Sequence, residues 1–126
     1  MTQLKDAYIV AATRTPIGKS GRGVFKNTRP DDLLVATIQS ALKQVPSLDP
    51  AAIEDAIIGC AMPEGEQGMN VAKVAALLSG LPKTVAGATV NRFCAAGITA
   101  VSMAADRIRV GEAEVMIAGG VESMSM

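Results

Sequence analysis

The stretch TVAGATVNRFCAAGITAVSMAADRIRVGEAEVMIA, residues 84–118, reads as strand, helix, strand, and the fold follows from that reading. Thr84–Val90 is a short apolar run, as expected of a buried strand. From about Cys94 to Val110, the residues Ile98, Val101, Ala105 and Ile108 recur at helical spacing on one face. Gly111 then suits the C′ position that ends a helix. Glu114–Ala118 is a second apolar run, followed at once by Gly119-Gly120. Two such strands joined by a helix predict a parallel pair with the helix packed across it.

The same alternation continues upstream. Ala7–Ala12 (AYIVAA) reads as a buried strand, and Ala56–Ala61 (AIIGCA) as another. A helix is predicted over residues 29–44, with Thr28 as N-cap, Asp31 three residues on, and Pro30 in the first turn. Its inward face is Leu34, Ile38, Ala41, Leu42 and Val45. A second helix is predicted over 69–79 after the turn-like MPEGEQG, with Val71, Val74, Ala75 and Leu78 inward and Gly80 and Pro82 as stops. The order β-α-β-α-β-α-β predicts an α/β fold: a mostly parallel sheet with helices on both faces. Sites in such sheets form at the carboxyl ends of strands, where Cys94 and Gly119-Gly120 fall. No helix follows the last strand, which would leave apolar surface uncovered. This predicts that the 126 residues are part of a larger assembly.

Composition narrows the function classes. Hydrophobic residues are 49% and charged residues 19%, the balance of a globular chain. Lys+Arg 12 against Asp+Glu 12 gives no net charge and no basic surplus to suggest nucleic acid. No apolar run is long enough to span a membrane, and the N-terminus lacks the basic head and apolar run of a signal peptide. A cytoplasmic protein is expected. Aromatics are only Tyr8, Phe25 and Phe93, so the core must be aliphatic and closely packed. Two cysteines, Cys60 and Cys94, make no disulfide framework and are expected to be reduced.

Cys94 sits in VNRFCAAG, residues 90–97, where a strand should stop and a helix should start. Helix N-termini present unpaired N–H groups and favour negative charge. Ala95, Ala96 and Gly97 follow, small enough for a substrate to approach closely. The position suits a nucleophile, while the residue type alone equally suits a small buried hydrophobe. Histidine, the usual base for such a nucleophile, is absent. Cys60 reads as core packing. Glu122 reads as a loop carboxylate in preference to a general base. The basic loop at residues 13–30 contains TRTPIGKS (13–20), which resembles a phosphate-binding loop. It has Thr13 in place of the first glycine and no helix start after Ser20, so it reads as a surface loop. The residues offer no metal site and no assignable cofactor-binding residue.

The segments VNRFCAAG (90–97), RTPIGK (14–19), GEQGMNVAK (65–73) and GGVESMSM (119–126) together resemble the N-terminal part of thiolases, most of all degradative 3-ketoacyl-CoA thiolases (acetyl-CoA C-acyltransferases). The resemblance runs from about residue 6 to the end. It implies a thiolase-like α/β fold, with residues 1–126 forming a partial N-terminal domain and the loop domain and C-terminal half lying outside this chain. It implies cleavage of a 3-ketoacyl-CoA by CoA, giving acetyl-CoA and a shortened acyl-CoA. Cys94 matches the family nucleophile, carrying the acyl group as a thioester, with its own N–H helping to bind the thioester oxygen. CoA would be co-substrate, with no permanently bound cofactor. A homodimer or homotetramer, with a possible β-oxidation partner subunit, is also implied, the strand before the cysteine lying near the dimer interface. The activating His, a second Cys and an Asn-Glu loop belong to the family's C-terminal half, so this chain alone is expected to be inactive. Ala96 stands where many members have Ser. Two alternatives remain: a non-catalytic thiolase-like subunit, favoured by the missing His, and a ketoacyl-synthase-type condensing enzyme.

Overall fold

A computed structural model of the chain describes residues 3–125. Its elements are α1 (Pro30–Lys43), β1 (Asp55–Gly59), α2 (Val71–Leu78), β2 (Ala86–Val90), α3 (Ala96–Arg109) and β3 (Met116–Gly120), with short 3₁₀ turns at Pro50–Ala52 and Gly65–Gln67. The three strands form one parallel sheet in the order β2-β1-β3, Ile57 lying between Ala88 and Ala118. Strand β1 is buried along its whole length, because helices cover both of its faces. Its side chains alternate between the two layers. Ile58 joins Leu34, Ile38, Val71, Ala75 and Val85 under α1 and α2, and Ile57 joins Ala100 and Ala104 under α3. The expected parallel sheet with helices on both faces is therefore present.

Local chemistry explains the ends of the elements. Pro30 opens α1, where its missing N–H costs nothing. Thr28 does not cap it: the N-cap is Arg29, which makes no side-chain cap bond. Asp31 turns instead to the Arg29 guanidinium, whose Nη2 lies 2.9 Å from Oδ2. Asn70 caps α2 by accepting from the Lys73 N–H at 3.3 Å, and its own amide donates to Gly87 O at 2.8 Å, fastening α2 to β2. Gly80 and Gly111 have φ of +86° and +80° just past α2 and α3, the left-handed C′ geometry expected of them.

Three expectations are corrected. Residues 7–12 do not form a strand. They run extended without a ladder partner, and Tyr8, Ile9 and Val10 are 77%, 80% and 70% exposed. The segment is held only near its ends, by Lys5 N–H on Arg109 O (2.8 Å) and by the Gln44 amide, which accepts from Ala12 N–H and donates to Ala12 O. A cavity of about 650 Å³ separates it from the outer side of β3, so neither edge has a neighbour to pair with. The last strand also runs to Gly120, so Gly119-Gly120 lie within it and not after it.

The inward faces of α2 and α3 are also turned from those expected. On α3 the buried residues are Ala96, Ala100 and Ala104, while Ile98 and Val101 are exposed. On α2, Val71 and Ala75 are buried as expected and Ala72 and Ala76 join them, while Val74 and Leu78 are exposed. The cause is close approach. A Cβ on Gly59 would sit 2.4 Å from the Ala96 carbonyl carbon, and one on Gly87 would sit 2.7 Å from Lys73 Cα. Where a helix lies that near a sheet, alanine does most of the packing between them.

Candidate active site

The turn at residues 91–95 joins the end of β2 to the start of α3, so Cys94 lies two residues before the helix. Cys94 is exposed. Phe93, just before it, has φ +47°, a left-handed conformation that a bulky residue adopts only at a cost of roughly 1 kcal/mol or more. Hydrogen bonds hold that shape. Asn91 Oδ1 accepts from the Phe93 N–H at 2.8 Å, and Asn91 Nδ2 donates to Ala61 O at 3.1 Å. Ala95 N–H and Ala96 N–H bond to Arg92 O and Phe93 O, both at 3.0 Å. Among the described residues, the Cys94 N–H has no acceptor. The turn thus presents an open sulfur, with an N–H beside it that can meet a developing oxyanion.

Small residues place this turn over the sheet. Gly59 at the end of β1 lets the first turn of α3 touch the strand backbone, and Gly120 lies beneath the same turn, where an added Cβ would be 3.6 Å from Gly97 Cα. A Cβ on Gly97 would meet nothing within 4 Å, so space is open on that side of the turn. The ends of β1, β2 and β3 converge there, where an α/β sheet forms its sites.

Cys60 is different. It is 1% exposed, and its thiol lies 3.7 Å from Glu122 Oε1. Burial, and then the nearby Glu122 charge, push its pKa up, so it stays a thiol. This agrees with its reading as a core residue. The basic loop starts no helix after Ser20: residues 20–27 are turns, and α1 begins only at Pro30. Arg14, Lys19, Arg22 and Lys26 are exposed, and Arg29 pairs with Asp31 and Glu66.

Glu122 is a hydrogen-bonding loop carboxylate, as the sequence reading preferred, and it is tied to the segment that leaves β1. Its Oε2 accepts from Ala61 N–H at 2.8 Å, and its Oε1 from Met62 N–H at 3.2 Å and Gln67 Nε2 at 2.7 Å. Gln67, 3% exposed, also donates to Met62 O and accepts from Ser123 N–H. Gln67 and Asn91 were missed. Asn91 carried a signal, since Asn directly after a strand favours an Asx turn, but the Glu122 and Ser123 partners of Gln67 lie 55 and 56 residues away. Met126, the last residue of GGVESMSM, lies outside the described residues. No helix among the described residues is long and apolar enough to cross a membrane.

Residues 7–126 match the family model described as the N-terminal domain of thiolase. The chain is 45% identical over 122 residues to the 3-oxoadipyl-CoA/3-oxo-5,6-dehydrosuberyl-CoA thiolase of Escherichia coli (strain K12), covering 97% of this chain and 30% of that protein. It is also 45% identical to the 3-ketoacyl-CoA thiolase of Bacillus subtilis (strain 168), covering 31% of it. The crystal structure of the Bacillus anthracis acetyl-CoA acetyltransferase superposes with a TM-score of 0.91 at 38% identity, covering 99% of this chain and 31% of that one. The chain thus spans just under a third of the length of these relatives.

Proposed function

The chain belongs to the thiolase family, and on that footing we propose that it supplies the nucleophile of an acyl-transfer site, with Cys94 as the sulfur that takes the acyl group. The observation that carries this reading is the strained turn that holds an exposed Cys94 between β2 and α3.

In this reading the Cys94 sulfur attacks the 3-keto carbonyl of a 3-ketoacyl-CoA. The oxygen gathers negative charge, and the Cys94 N–H meets it. The Cα–Cβ bond breaks, and acetyl-CoA leaves once its carbon has taken a proton. The shortened acyl group remains on sulfur as a thioester until the thiol of free CoA displaces it and restores Cys94. Both proton transfers need an acid and a base. This chain has no histidine, so these come from the part of the enzyme that these residues do not include. CoA is co-substrate and no resident cofactor takes part. The complete enzyme is proposed as a cytoplasmic homodimer or homotetramer of fatty-acid β-oxidation. The family match favours this over a ketoacyl-synthase reading.

The test is intact mass. Protein made from the natural gene is incubated with acetyl-CoA, and the modified peptide is mapped. Gain of one acetyl group on the Cys94 peptide, lost in Cys94→Ala, is the expected result. Failure of folded protein to acetylate would move the chain to the non-catalytic subunit reading.

A further inference from the structure

Glu122 stands among four donors, more than a loop carboxylate needs. They come from one short segment, Cys60 to Gln67, which leaves the end of β1. That segment meets the nucleophile turn at a single peptide. The Ala61–Met62 unit gives its N–H to Glu122 Oε1 at 3.2 Å and its carbonyl to Asn91 Nδ2 at 3.1 Å. Asn91 then holds the Phe93 N–H at 2.8 Å, and Cys94 follows directly. Gln67 closes the other side, donating to Glu122 and accepting from Ser123, so the carboxylate cannot swing away without breaking its own support. A charged acceptor strengthens each bond it receives, and a peptide bonded at both ends is polarised along its length.

We propose that Glu122 is a positioning residue for Cys94, holding the Ala61–Met62 peptide and, through it, Asn91 and the left-handed Phe93, so that the sulfur keeps its presented geometry. The inference rests on the acyl-transfer reading for its purpose, but not for its test. The carboxylate is required because both oxygens face N–H donors: Ala61 on Oε2, and Met62 and Gln67 on Oε1. An amide in its place must turn its NH₂ toward one of them, losing a bond and facing donor to donor. Phe93 stores the strain that the turn releases once the peptide is loose.

The experiment uses the full-length protein from its natural gene. The alkylation rate of Cys94 by iodoacetamide is measured by peptide mass, with far-UV circular dichroism as the control for folding. Glu122→Gln is expected to slow Cys94 alkylation roughly tenfold, the scale of one lost hydrogen bond to a charged group, while the fold is retained. Asn91→Ala is expected to do the same, and the double variant is expected to be no slower than the slower single one, because both act on one path. In acetyl transfer, kcat falls and KM for acetyl-CoA holds. An unchanged Cys94 rate in Glu122→Gln, even with a lower melting temperature, would make Glu122 a brace of the loop only and overturn the proposal. Additive losses in the double variant would overturn it as well. If Glu122→Gln unfolds, Glu122→Asp replaces it: the charge is kept while the shorter side chain withdraws its oxygens from the Met62 N–H, so a slowed Cys94 rate supports the proposal and an unchanged rate overturns it. Should wild-type Cys94 alkylate readily but take no acetyl group, the acyl-transfer reading fails while the alkylation rates still settle the positioning role.

Discussion

Gly59 and Gly97 lie at the same contact between β1 and α3, yet an added methyl group has opposite consequences at the two. A Cβ on Gly59 would collide with the backbone of Ala96 and Gly97 at 2.4–2.5 Å, and backbone cannot rotate aside as a side-chain tip can. Gly59→Ala must therefore lift the N-terminus of α3 off β1, and the cost expected is about 3 kcal/mol, the upper range for overpacking. Gly97 lies in the first turn of α3 with open space at its Cβ position and no left-handed φ. Gly97→Ala is expected to stabilise by about 0.5 kcal/mol by removing backbone freedom from the unfolded chain. Denaturant unfolding of the two variants checks the pair, and a Gly59→Ala protein as stable as Gly97→Ala would refute the close approach. Cys94 was legible at this scale because its signal is local: a strand, a cysteine, small residues, a helix. The network of Ala61, Gln67, Asn91 and Glu122 was not. Its members lie up to 61 residues apart and meet only once the sheet has formed. Glu122 was visible as a carboxylate, but its partners were not.

At the scale of elements, α1 has a charge pattern that responds to acid. Asp31, buried in its first turn, is hydrogen-bonded by Arg29, and that contact holds its carboxyl below the usual carboxylate range, against the opposing cost of burial. Its folded pKa is depressed, so the unfolded chain binds the proton more readily. The stability it contributes is present above the unfolded value, near 3.8, and is lost as pH falls through the lower folded value. Asp31→Asn is expected to flatten the acid limb of the stability profile below about pH 5 and leave the profile above it parallel to wild type. Urea midpoints across pH 3–7 would check this, and an unchanged acid limb would remove Asp31 from the account. The helices themselves were legible in number and order. Their inward faces were read from apolar residues at helical spacing, which misplaces the face where glycines in the sheet bring a helix so near that a stripe of alanines does the packing, as on α3. AYIVAA has the composition of a strand, but a strand also requires a neighbour, and sequence does not reveal whether the adjacent edge is within reach.

The whole molecule has more surface than a closed domain of its mass. Its accessible area is 7848 Å², against about 6,300 Å² expected from the scaling of folded monomers. Part of it is apolar: Ile98, Val101 and Met103 are exposed on α3, Tyr8, Ile9 and Val10 on the extended N-terminal segment, and between that segment and β3 lies the cavity of about 650 Å³. The outer edge of β3 has no ladder partner among the described residues, and an unpaired edge is a template for another strand. Apolar surface and a free edge in one place predict how residues 1–126 behave when produced alone. They should bind a hydrophobic dye such as ANS strongly and self-associate with rising concentration, as read by fluorescence and light scattering. Covering that face should remove both effects. A monomeric, dye-silent preparation of the 126 residues would mean that the N-terminal segment closes onto β3 in solution, completing the strand its sequence suggests and filling the cavity.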